Sequence, residues 1–398
     1  MPHLSESKKR KIAIVTSLYD SWGGSEELWA LSIPYLLDKE NFSITLYKNT
    51  INKNQPEFVN LANYNVAMVQ LAKDDHKLKN SFLIAKDLVK KVGDKLGLYK
   101  YTKNQAVQKF YQEMKKSMPA LAIIAQGVNF DGLVYAYQCL LLKIPYIVVC
   151  QKSVDFYWPE PQDRKFMKDA FINAEKILFV SEQNLKITEE QFGMRFKNAE
   201  VVFNPVRVAK ELLPFPTTDK GFKLACIGRL FVIDKGQDIL LRILQKEKWK
   251  KRDISISLIG SGPDEEGLIE MARLLELENV NFVGFKTNLR EIWKEHHALI
   301  FPSRSEGLPL TVLEAMSFGR LAILSNAGGN NEVVCDGINA FIGEPNELQF
   351  DQAMERAWEN RHNWEAMGID AYYHIQSVIP VRPEELFAEI VIKALNTI

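Results

Sequence analysis

At 398 residues the chain exceeds one ordinary domain, and at roughly 150 residues per domain it has room for two or three. An apolar fraction of 46% with 25% charged residues is the composition of a folded globular protein, which excludes collagen-like, disulfide-scaffold and wholly disordered chains. The 50 basic and 50 acidic side chains cancel, so the global positive field of a nucleic-acid coat is missing and no nucleic-acid partner is expected.

The two halves do not cancel separately: residues 1–204 hold 28 Lys and Arg against 22 Asp and Glu, and the remainder holds the reverse. Cys139, Cys150, Cys226 and Cys335 are scattered without CxxC spacing, which suggests neither a zinc site nor a disulfide framework and fits a reducing compartment. The apolar run behind the basic Lys8–Lys11 ends by Val15, too short for an export signal. Between Ser117 and Gln151, Pro119, Gly127, Asn129, Asp131, Lys143 and Pro145 interrupt the most apolar stretch, whereas a spanning helix needs ~20 apolar residues. A cytoplasmic location is the expectation.

Short β-branched runs alternate with longer amphipathic ones, the pattern of parallel sheets covered by helices on both faces. Strands are expected at Lys11–Thr16, Ser43–Tyr47, Val66–Gln70, Leu121–Ala125, Tyr146–Cys150, Lys176–Val180 and Glu200–Phe203. A Pro- and charge-rich segment from Asn204 to Lys220 then breaks the alternation. It restarts with strands at Lys223–Ile227, Ser255–Ile259, Asn281–Val283, Ala298–Phe301 and Leu321–Leu324. The fold class is α/β, with two Rossmann-like doubly wound parallel-sheet domains facing a cleft. The divisions are 1–204, a linker or hinge at 205–220, a second domain at 221–379, and a last segment at 380–398 with Leu386, Ile390 and Leu395 on one helical face. No internal repeat is present.

Ligands of such sheets bind beyond the carboxyl ends of the strands, so the loops there carry the functional information. After Ala298–Phe301 comes Pro302-Ser303-Arg304-Ser305-Glu306-Gly307-Leu308-Pro309 and then a helix containing Glu314. Pro309 suits the first helical turn, and the free amides after it form an anion site next to Glu306. Glu314 lies among Leu310, Val312, Leu313, Ala315 and Met316. A carboxylate there needs partners, which either ribose hydroxyls or an ordinary salt bridge would supply. After Lys223–Ile227 come Gly228-Arg229-Leu230 and Lys235-Gly236. A planar fork and a point charge leaving one strand suit a diphosphate, although two solvated cations on a loop would read the same way. After the first strand, Ser21-Trp22-Gly23-Gly24-Ser25-Glu26 permits close backbone approach to a ligand, or is a tight turn capped by Ser25. Neither Gly260-Ser261-Gly262-Pro263 nor Gly328-Gly329 completes a dinucleotide or P-loop pattern. His296 and His297 are adjacent and point apart on a helix, and no protein-built metal site is expected.

Together these motifs resemble glycosyltransferase family 4, retaining enzymes of the GT-B fold that move a sugar from a nucleotide-sugar donor. The resemblance covers most of the chain and is strongest from Gly228 to Gly343. It implies a nucleotide-sugar donor, UDP- or GDP-linked, as co-substrate, a glycan or lipid-linked acceptor, and no cofactor or metal. Residues 1–204 would take the acceptor, 221–379 the donor, and the last helix would return to the first domain. Arg229 and Lys235 would hold the donor diphosphate, Glu314 the ribose hydroxyls and Glu306 the transferred sugar. Gly307, Leu308, Pro309, Leu310 and Thr311 would complete the phosphate cradle, with Gly23 and Gly24 across the cleft.

Some positions depart from the family pattern. Gln151 and Gln126 stand where His is frequent, and an amide can donate a hydrogen bond to a sugar hydroxyl but cannot become cationic. Gln151 remains a candidate donor contact. Arg320 stands where Pro is favoured, and Asn339-Ala340 where a Gly usually closes a turn. The missing His leaves open a catalytically silent partner subunit, and a nucleotide-sugar epimerase is a further alternative. Residues 73–116 hold 12 Lys against 5 acidic side chains, with Phe82, Ala85, Val89 and Val92 at helical spacing. Relatives use such a face for peripheral contact with anionic membrane; a merely solvated Lys-rich face is the plainer reading.

Overall fold

The computed structural model describes residues 9–18, 22–39, 42–72, 104–206 and 211–397. Ser21, and residues 73–103 of the Lys-rich segment, lie outside them.

Two parallel sheets dominate. The first joins β1 (Arg10–Thr16), β2 (Phe42–Lys48), β3 (Ala67–Gln70), β4 (Leu121–Gln126), β5 (Tyr146–Cys150), β6 (Lys176–Phe179) and β7 (Ala199–Val201). Their spatial order is 3-2-1-4-5-6-7. The second joins β8 (Phe222–Ile227), β9 (Ile254–Ile259), β10 (Val280–Gly284), β11 (Ala298–Phe301), β12 (Leu321–Ser325) and β13 (Ala340–Gly343) in the order 10-9-8-11-12-13. Each sheet therefore reverses its winding beside its own first strand, between β1 and β4 and between β8 and β11. At such a point the two flanking loops diverge and leave a crevice.

The alternation within strands builds the core on both faces. On β1, Ile12 and Ile14 enter one cluster while Ala13 and Val15 enter another. On β11, Ala298 and Ile300 face one layer while Leu299 and Phe301 face its opposite. A fully buried side chain of this kind contributes about 1.5–3 kcal/mol, so the strands beneath the loops form a stiff base. Strand β13 was not expected from the sequence. Its four residues begin at Ala340, which the sequence pattern assigns with Asn339 to a turn, and end at Gly343.

The linker's second half is sewn to the second domain. Leu213 is buried, and the Glu211 and Leu213 amides donate to the Ser317 and Phe318 carbonyls. Arg320, also buried, donates to the Leu213 and Pro214 carbonyls. Arg320 thus does structural work where the sequence pattern would have had Pro. The last helix, Pro383–Thr397, lies on the helix Glu27–Lys39 of the first domain and buries Phe387, Val391, Ala394 and Leu395. Of the face expected, Leu395 is buried and Ile390 packs partly against that core, whereas Leu386 is exposed.

Candidate active site

The loops leaving β8 and β11 meet at the switch point of the second sheet. Arg229 follows β8, its guanidinium 4.7 Å from the centre of the Phe231 ring. The chain then winds through Val232–Lys235 to Gly236, at φ 64°. A Cβ on Gly236 would stand 2.1 Å from the Pro302 carbonyl oxygen, so glycine is what lets the two loops touch. That contact brings Lys235 Nζ to 2.6 Å from Oε1 of the buried Glu306.

The helix Leu310–Ser317 begins at Pro309, which serves as its N-cap at φ −74° and ψ 110° with no side chain capping the end. Pro309 therefore stands one position ahead of the first turn where the sequence had placed it. Its carbonyl receives the Val312 and Leu313 amides. The positive end of this helix opens on a cavity of about 360 Å³ between the domains. The second domain lines it with Lys235, Phe301, Glu306, Gly307, Leu308, Pro309, Leu310, Thr311 and Glu314. Gly24, Ser25, Gly127, Gln151, Lys152 and Asn204 form the opposite wall. Glu314 is half-buried.

Two of the groups singled out from the sequence stand outside this wall. Arg229 is held at the side by Asp234, 3.2 Å away. The Gly23 amide turns inward and donates to Glu26 Oε2 at 3.2 Å. Glu26 then meets Lys48 at 2.8 Å and accepts from Thr16 at 2.9 Å, an ion pair sealed beneath the glycine loop. Burial pushes the Glu26 carboxyl above its ordinary range despite Lys48. The turn is thus held by Glu26 rather than by a Ser25 cap.

Gln151 borders the cavity, but its amide pairs with Asn204, accepting at 2.8 Å and donating at 3.2 Å. Its carbonyl oxygen closes the cleft: a Cβ on Gly307 would stand 1.9 Å from it. Gln126 is buried behind Gly132, its amide without a protein partner, and does not reach the cavity wall. Glu332 spans the domains, its carboxylate accepting the Glu182 and Gln183 amides at 2.9 and 2.8 Å, at the positive end of the helix Glu182–Phe192.

Asp234 and Lys152 were not anticipated. Lys152 Nζ, from the first domain, lies 2.8 Å from Asp234 Oδ2. Burial would raise the Asp234 carboxyl, but Lys152, Lys235 and Arg229 together hold it below its ordinary value. Lys152 directly follows Gln151, so adjacency was the one available signal; its partner depends on how the domains face each other. His296 and His297 are spent within the fold, bonding to the Ile292 carbonyl and Ser257 and to backbone at Lys223 and Thr217. Among the described residues no group of three or more His, Cys, Asp or Glu is placed to hold a metal ion. No described helix is long and apolar enough to cross a membrane.

Two doubly wound domains closing on such a cavity define the GT-B architecture, and solved structures of that fold align with nearly the whole chain. Anabaena HepE in complex with UDP superimposes with a TM-score of 0.70, covering 96% of this chain and 100% of its own at 15% identity. The lipopolysaccharide outer core galactosyltransferase WaaB in its apo form gives a TM-score of 0.66, covering 96% and 99% at 20% identity. Residues 213–372 match the sequence family described as Glycosyl transferases group 1. An uncharacterized glycosyltransferase of Haemophilus influenzae is 30% identical over 184 residues, 45% of this chain and 50% of that protein. The lipopolysaccharide 1,6-galactosyltransferase of Salmonella typhimurium is 25% identical over 249 residues, 61% and 66% of the two chains. The chain spans about half the length of the first curated relatives it matches, at 50%, 57% and 54%.

Proposed function

We propose that the protein is a retaining, metal-independent glycosyltransferase that moves a hexose from a UDP- or GDP-linked donor to a hydroxyl of a glycan or lipid-linked acceptor. The observation that carries this reading is the meeting of Lys235 and Glu306 at 2.6 Å in a cavity that also holds Glu314 and an uncapped helix start. Cleaving a glycosyl phosphate chiefly requires that the departing diphosphate be neutralised, and fixed cations with a helix dipole do this without reorganisation. Lys235 and Arg229 supply the charge, and the amides of Leu308, Leu310 and Thr311 complete the cradle. Glu314 takes the ribose hydroxyls and Glu306 the transferred sugar. The acceptor attacks on the face the phosphate leaves, and the departing phosphate takes its proton, so no separate nucleophile is needed. The likenesses to galactosyltransferases and to a UDP-bound protein support a nucleotide-sugar donor.

Donor hydrolysis, and transfer to a panel of glycan and lipid-linked acceptors, are the measurements. Lys235→Ala and Glu306→Ala each lower the rate by about 100-fold or more, the usual loss when a transition-state charge partner is removed. Unchanged rates in both would overturn the reading.

A further inference from the structure

We propose that Lys152 is a phosphate-binding cation of this cleft, supplied by the first domain to the diphosphate of the donor. The inference rests on the donor reading above and adds a ligand from the opposite wall. The backbone around Lys152 is fixed from two sides. Its carbonyl accepts the Asn129 amide at 2.7 Å, and the next amide, Ser153, donates to Asn184 Oδ1 at 2.6 Å. The side chain is mostly buried and borders the cavity with Lys235 and Glu306.

Its ammonium lies 2.8 Å from Asp234 Oδ2, and the Arg229 guanidinium lies 3.2 Å from that same oxygen. Added end to end, those distances put the two cations no more than about 6 Å apart. Two like charges this close in a half-buried site repel unless one anionic oxygen lies between them. Asp234 fills that role here, with Ser305 Oγ 3.2 Å from its Oδ1 and the Arg304 and Ser305 amides on its carbonyl. A terminal phosphate oxygen has the same charge and acceptor geometry and would be met by the same two donors. Arg229 and Lys235 leave one loop of the second domain, whereas Lys152 comes from the first. A diphosphate held by all three therefore ties the domains together, with a positive charge next to Gln151, whose amide cannot carry one.

Calorimetry of the full chain with UDP, GDP, inorganic pyrophosphate and the nucleosides uridine and guanosine tests this. Lys152→Met weakens the diphosphates by about 10-fold, the range of one charged hydrogen bond, and leaves nucleoside binding unchanged. Lys152→Arg restores most of the loss. Asp234→Asn, which removes the competing carboxylate, binds the diphosphates at least as tightly as the parent. If Lys152 serves only as a latch between domains, Asp234→Asn weakens binding as Lys152→Met does, and the proposal fails. It fails equally if Lys152→Met binds like the parent. A parent chain that binds none of the diphosphates removes the donor reading itself, and this inference with it.

Discussion

The two walls of the cleft are built on different principles. The second domain presents charge: Lys235 with Glu306, and Glu314 on a helix whose positive end faces the hollow, with Arg229 and Asp234 paired at its side. Among the described residues the first domain presents mainly backbone and neutral side chains, with Gly24, Ser25, Gly127, Gln151 and Asn204, and a single cation in Lys152. Glu26 and Lys48 are sealed under the glycine loop, where they can hold a shape but cannot reach a ligand. A wall of charge can bind a charged leaving group on its own. A wall of backbone acts only when it is brought close and held in register, so the first domain's contribution depends on closure.

Buried charge should therefore serve different ends in the two domains. Removing one member of a sealed ion pair leaves the other uncompensated and typically costs about 3–5 kcal/mol. Glu26→Gln does this to Lys48, which keeps the Leu18 carbonyl at 3.0 Å. Urea unfolding should show a loss in that range, with the Gly23–Gly24 loop loosened. Arg320 differs, because its guanidinium is met by the carbonyls of Trp293, His296, Leu213, Phe318, Gly319 and Pro214. Arg320→Met removes the charge together with its desolvation cost, and a loss of about 1–3 kcal/mol follows from stranding the acceptors. A larger loss in Arg320→Met than in Glu26→Gln would reverse this assignment.

Closure is broken most directly at Gly307. Its Cα approaches Gln151 so closely that an alanine methyl would lie 1.9 Å from the Gln151 carbonyl oxygen, and backbone cannot yield as a flexible side chain can. Gly307→Ala should part the walls by roughly an ångström and lower donor turnover by about 100-fold. The melting temperature should change little, since the clash is chiefly with the Gln151 carbonyl and the buried Val180, 3.2 Å from the added methyl, need yield only slightly. Solution scattering would report a larger radius of gyration for the variant. Full turnover in Gly307→Ala would mean that contact between the walls at Gln151 is dispensable.

Local patterns made the second domain's wall readable. Glu306 and Glu314 lie on one strand–loop–helix unit, and Arg229 and Lys235 on another. A sheet reversing beside β8 must bring two such units together, so doubly wound topology was enough to gather them, with Arg229 at the side of the cavity. The strands were legible because burial on both faces makes each a short continuous apolar run bounded by turn residues, as Ile12 to Val15 show. Where contacts are distant in sequence and ride on domain placement, as between Lys152 and Asp234 or between Glu332 and the amides of Glu182 and Gln183, no periodicity records them. Arg320 illustrates the opposite failure. It departs from the family pattern in sequence, but the set of six carbonyls on its guanidinium is complete only once the linker folds back to add those of Leu213 and Pro214.

The smallest expected effect concerns His296 and His297, which lie behind the charged wall and are both buried. Burial lowers both imidazoles below the ordinary histidine value, outweighing their backbone hydrogen bonds. The folded protein thus favours the neutral rings. As pH falls through about 6.5 the unfolded chain takes up protons first, so stability present above that value is lost progressively on acidification. The melting temperature should fall between pH 7 and pH 5, and His297→Asn should flatten the part of that slope due to the second ring. His297 accepts the Lys223 amide at 2.9 Å at the start of β8, so its protonation would loosen the root of the strand that presents Arg229. Under the first domain's wall the sign is reversed: burial raises the Glu26 and Asp131 carboxyls, Asp131 to about 6, so their folded state takes up protons first and gains from acidification. If the acid-induced loss persists unchanged in the double variant of His296 and His297, its origin lies in carboxylates held below their ordinary value, such as Asp234 and Asp351.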